Sequence, residues 1–150
     1  MGKLPNVNAL RQLRVVDRQR YALRALRLVA DLSTEPEFHA CVEVMEAAVR
    51  GEVDRDAVKR AEDQLRDAVL HLRYDSFLYN RSVGAALQAA ATFHGNNTDY
   101  TSAYHAMAAV EIVAFAARDH GMVNPTVELA HYYHELLHLD DIINEVILGA

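Results

Sequence analysis

Apolar residues recur at steps of three and four along nearly the whole chain, and no segment of strand length alternates apolar with polar residues. Val58, Ala61, Leu65, Ala68 and Leu72 show the pattern. At about 100° per residue they share one side of a helix. The spacing therefore predicts an all-α fold. With 150 residues the chain fits a single domain, residues 1–150, long enough to bury roughly 70% of its unfolded surface around one core.

Local signals divide the chain into five or six helices. The first spans about Asn8 to Leu32, with Leu10, Leu13, Val16, Leu23, Leu26 and Ala30 near one side. Ser33-Thr34-Glu35-Pro36-Glu37 stops it and starts the next, Thr34 and Glu37 forming a capping box. Gly51 suits a left-handed helix end, and Asp54 is the following N-cap. Residues 54–94 divide into two helices near Asp75-Ser76, because a single helix of that length exceeds the usual range. Gly95-Asn96-Asn97 is a loop. Thr98 or Asp99 then caps a helix that ends near His120-Gly121, and Asn124-Pro125 opens the last one. Short loops make neighbouring helices antiparallel, as in a bundle.

Charge is distributed unevenly. Residues 1–30 carry seven cations (Lys3, Arg11, Arg14, Arg18, Arg20, Arg24 and Arg27) against Asp17 alone, for +6, and the other 120 residues hold the −12 that brings the net charge to −6. The basic first helix is expected to be attracted to the acidic remainder, within the bundle or between subunits. Nucleic acid is not an expected partner: the arginines have one aromatic neighbour, Tyr21, and the rest of the surface repels phosphate. The lone cysteine, Cys41, the absence of a signal-peptide core after Met1 and the interruption of the apolar run 106–117 by Glu111 suit a cytoplasmic chain without a membrane span.

Two acidic residues fall on apolar helix faces. Glu111 shares a side with Tyr104, Met107 and Phe115, and Asp140 lies between Leu136 and Ile143. A buried carboxylate needs a partner, so both are expected to be buried and paired with Arg20, Arg24 or Arg27, the alternative for Glu111 being a metal ligand or general base beside the histidines. Cys41 and His39, two residues apart on a helix, point away from one another, and no nucleophile arrangement or phosphate loop is present.

The densest chemistry lies near the C-terminus. His134-Glu135-Leu136-Leu137-His138 has the spacing of a zinc-protease helix, in which two histidines one turn apart bind a metal and the glutamate activates its water. Only twelve residues follow His138 and no strand is available to hold a peptide. A peptidase is therefore not the expected activity. On the helical wheel His131, His134, His138, Asp141 and Glu145 form one polar stripe opposite Leu129, Tyr132, Leu136, Leu139, Ile143 and Ile147. Such a stripe is a hydrated face or, alternatively, a divalent-metal chelate for zinc or nickel.

Two resemblances bear on this. The segment "RALRLVADLSTEPEFHACVEVMEAAVRGEVDRDAVKRAEDQLRDAV", with the alanine-rich 85–117 region, resembles the alanine-rich helical domains of planctomycete proteins of unknown function. That resemblance implies a helical fold and no catalytic residues. The closing "HELLHLDDIINEVILGA" resembles the last helix of DinB-like four-helix bundles, which implies His134 and His138 as a metal-binding pair completed by His71 in "LRDAVLHLRY". Where that family commonly has Arg-Gly-Gln, this chain has Asp140-Asp141-Ile142. The expected function is a non-enzymatic interaction or structural module that self-associates or binds a protein partner, without catalytic residues or cofactor. A metal-binding bundle is the alternative.

Overall fold

The computed structural model describes residues 4–33, 35–70, 80–122 and 125–138, and among these every regular element is helical. The described residues form seven α-helices: α1 (Val7–Leu10), α2 (Val15–Leu28), α3 (Pro36–Val49), α4 (Arg55–Leu70), α5 (Asn80–Ala91), α6 (Asp99–Asp119) and α7 (Thr126–Leu137), with one 3-10 turn at Ala30–Leu32. The fold is all-α as the spacing requires, with seven helices among the described residues rather than five or six.

The extra helix comes from a break in the expected Asn8–Leu32 segment, and a single side chain accounts for it. Arg18 Nε donates to the Leu10 carbonyl and Nη2 to the Arg11 carbonyl, each at 2.8 Å. The orphan carbonyls at the end of α1 thus take a guanidinium instead of a further helical turn. Arg14 then has extended backbone, and α2 begins after it.

The other boundaries follow local chemistry. Gly51 and Gly121 have φ of 76° and 67°, the left-handed conformation that glycine adopts without steric cost, and they end α3 and α6. Asp54 accepts from the Ala57 amide at 3.0 Å at the start of α4. Thr98 caps α6 in a reciprocal box with Thr101. At α3 the cap position is Glu35 rather than Thr34, which lies outside the described residues. Pro36 fixes this, since its ring suits the first helical position, where no N–H is needed.

Helices α4 and α5 pack side by side, with His94 beyond the end of α5 lying 2.8 Å from Glu62 of α4. In one continuous helix those residues would stand about 48 Å apart. The expected junction at Asp75-Ser76 lies outside the described residues. Helix α6 is central, packing on α5, α2 and α1, while α7 lies against α2. Buried side chains from all seven helices, among them Leu10, Leu26, Met45, Leu65, Val113 and Leu129, join in one contiguous core. Among the described residues no helix is long and apolar enough to cross a membrane.

Candidate functional site

His131, His134 and His138 are exposed, while Leu129, Tyr133 and Leu136 are buried behind them. The described part of the polar stripe, His131 to His138, is thus solvent-facing. His131 Nε2 lies 3.0 Å from a Glu135 oxygen one turn on, so the glutamate of the zinc-protease spacing is engaged along its own helix. His138 is the residue at which α7 ends. His71, Asp140 and Asp141 lie outside the described residues, and among the described residues no group of three or more His, Cys, Asp or Glu side chains is placed to hold a metal ion.

Glu111 departs from expectation: it is exposed, not buried. The wheel grouped it correctly with Tyr104, Met107 and Phe115, but that side of α6 faces solvent, the buried side being formed by Ala106, Ala109, Val110, Val113 and Ala117. Arginines expected to serve Glu111 and Asp140 have other partners. Arg20 reaches Asp17 at 2.8 Å, Arg24 reaches Glu128 at 3.2 Å, and Arg27 pairs with Glu46. Two of these ties, to Glu46 and Glu128, join α2 to α3 and α7, so part of the basic charge is neutralised by the acidic remainder. Arg24 also lies over the Tyr132 ring at 5.2 Å, which seats α7 on α2.

Three charged residues not singled out by the sequence are buried. Arg18, 2% exposed, adds bonds to Ser102 (2.9 Å) and Asp99 (3.1 Å) of α6 to those it makes with α1. Asp17 accepts from Arg14 and Arg20. Glu62, 0% exposed, meets Lys59, Arg66 and His94. A signal for Glu62 was available: it lies four residues after Val58 and three before Leu65, in the apolar stripe of α4.

Around Glu62 a polar seam continues to α6, where His105 Nδ1 lies 2.8 Å from Gln88 Oε1 of α5. Burial holds His105 below the usual histidine range, with His94 acting in the same sense and Glu62 opposing. Cys41 is buried nearby, its thiol pushed up to about 12 first by burial and then by Glu62. Such a thiol is a core residue and not a nucleophile.

An exposed run of aromatic side chains lies on α6. Tyr100, Tyr104 and Phe115 are 56%, 46% and 50% exposed. With Met107, Glu111 and Arg118 they fall within an arc of about 80° on the helical wheel. Phe115 carries Arg118 over its ring at 4.7 Å and Arg81 at 5.8 Å, while Arg81 itself pairs with Asp119. Beside Phe115, toward Met122 and Pro125, opens a mainly apolar pocket of about 550 Å³ with Glu111 and Arg118 among its polar lining. Comparison of the chain with family models, curated proteins and solved structures finds no match.

Proposed function

We propose that the chain is a helical interaction module that self-associates through the solvent-facing side of α6. The observation that carries this is the run of Tyr100, Tyr104 and Phe115, three half-exposed aromatics aligned on one helix. Aromatic side chains concentrated in one exposed stripe belong to interfaces more often than to free surface. A second copy fits better than an unrelated partner because the stripe carries both an acid, Glu111, and a base, Arg118. Two opposed copies can meet each charge with a hydroxyl donor or an opposite charge from the same surface, whereas a partner surface of one sign leaves a like charge facing it.

Sedimentation of the purified chain tests the reading. The expected mass is twice the 16.8 kDa of one chain, falling to the single-chain value in Phe115→Asp with helical circular dichroism unchanged. A wild-type chain that remains monomeric at about 100 μM, where a dimer with a micromolar dissociation constant (about −8 kcal/mol) is nearly complete, would count decisively against it.

A further inference from the structure

Resting on the self-association reading, we infer that the two α6 helices lie antiparallel about a two-fold axis between Met107 and Ala108, with Tyr100 of each copy filling the pocket beside Phe115 of the other. This register pairs each exposed group with a chemically suitable one. Tyr100 stands opposite Phe115, Tyr104 opposite Glu111, and Met107 opposite Ala108. The Tyr104 hydroxyl donates to the carboxylate, and Arg118 approaches Asp99, which is 68% exposed despite its bond to Arg18. The pocket matches a tyrosine in character, with Ala114, Phe115, Met122 and Pro125 for the ring and Glu111 and Arg118 for the hydroxyl.

Other arrangements serve the same stripe less well. A parallel pair sets Glu111 against Glu111 and Arg118 against Arg118, and aligns the two helix dipoles unfavourably. An antiparallel pair shifted to place Tyr104 opposite Phe115 leaves Glu111 facing Ala108, and a shift of one heptad brings the two Glu111 carboxylates together at the axis. A register that sets Glu111 opposite Arg118 pairs the two charges but carries Tyr100 and Tyr104 past the end of the other α6, whereas the register about Met107 and Ala108 gives each charge a donor or an opposite charge and keeps both tyrosines on the partner helix.

Cysteine cross-linking separates these cases, since a disulfide requires Cα atoms within about 7 Å. In the inferred register the two Met107 positions are offset by about 1.5 Å along the helices and the two Glu111 positions by about 10 Å. Under mild oxidation Met107→Cys is expected to form a covalent dimer and Glu111→Cys is not. Cys41, buried with a raised thiol pKa, contributes no background. Cross-linking of both variants would establish a parallel pair, and cross-linking of Glu111→Cys alone a shifted one; either overturns the register while leaving self-association intact. A monomeric wild type fails the earlier reading instead. Tyr100→Ala is expected to raise the dimer dissociation constant about thirtyfold, as loss of an aromatic anchor does. An unchanged constant removes Tyr100 from the pocket.

Discussion

Arg18 of α2 and Asp99 of α6 meet at 3.1 Å, yet the arginine is 2% exposed and the aspartate side chain 68%. The ion pair is therefore the outer edge of a network whose buried interior consists of the Leu10 carbonyl and the Ser102 hydroxyl, with the half-buried Arg11 carbonyl beside them. Arg18 thereby fixes three elements at once: it ends α1, sits within α2 and holds the first turn of α6. Since α6 presents the aromatic stripe, the guanidinium sets the position of the proposed interface and reaches its edge only at Asp99.

That asymmetry makes the two halves of the pair separable. Arg18→Met keeps much of the apolar stem but strips buried oxygens of their donors, and is expected to cost about 3 kcal/mol. Asp99→Asn removes only the solvent-screened charge and is expected to cost less than about 1 kcal/mol. Urea unfolding of both variants measures the difference; an Arg18→Met loss below that of Asp99→Asn would show that the buried carbonyls do not depend on the guanidinium.

Tyr21 and Tyr133 form a second contrast. Their rings meet edge to face with centroids 6.5 Å apart, and Tyr133 donates its hydroxyl to the Ala9 carbonyl at 2.9 Å. The Tyr21 hydroxyl is buried with no partner among the described residues, and burial, then Tyr133, raises its pKa. Tyr133→Phe is expected to destabilise by about 1 kcal/mol, while Tyr21→Phe, which deletes an unsatisfied group, is expected to be neutral or stabilising by up to about 1 kcal/mol. The denaturant midpoint at constant slope reads both. A Tyr21→Phe loss equal to that of Tyr133→Phe would mean the hydroxyl is bonded after all.

Local chemistry was legible in the sequence wherever a few neighbouring residues decide the outcome. Asp54, Thr98, Gly51 and Gly121 do what their side chains, or lack of one, dictate within one turn. The break after Leu10 was not, because it rests on the Arg18 side chain turning back to the Leu10 and Arg11 carbonyls, eight and seven residues before it and beyond the reach of a one-turn signal. Arg18 itself lies three and four residues before Tyr21 and Ala22, on the buried face of α2, so its place is written in the spacing although its carbonyl partners are not. Glu111 failed for a different reason: its neighbours were identified, but a wheel does not say which side of a central helix is covered. The buried Glu62, lying squarely in an apolar stripe, was readable by the reasoning applied to Glu111.

The seam of Gln88, His94, His105 and Glu62 gives the fold a defined response to acid. Burial of His105, reinforced by His94 and opposed by Glu62, lowers its pKa from the 6.5 expected in an unfolded chain. Below about pH 6.5 the unfolded chain takes up a proton at this position that the folded chain does not, so stability falls as pH falls, until the folded pKa is reached and both states are protonated. Above that window the imidazole is neutral in both states and its contribution is constant. His105→Gln keeps a hydrogen-bonding group toward Gln88 but cannot titrate. Its stability is therefore expected to decline less steeply than wild type as pH drops from 6.5, the two curves running parallel between pH 7 and 8. Guanidinium unfolding at half-unit pH steps provides both curves. Parallel curves throughout would show that His105 binds its proton equally well folded and unfolded, and that the burial seen between α5 and α6 carries no electrostatic consequence.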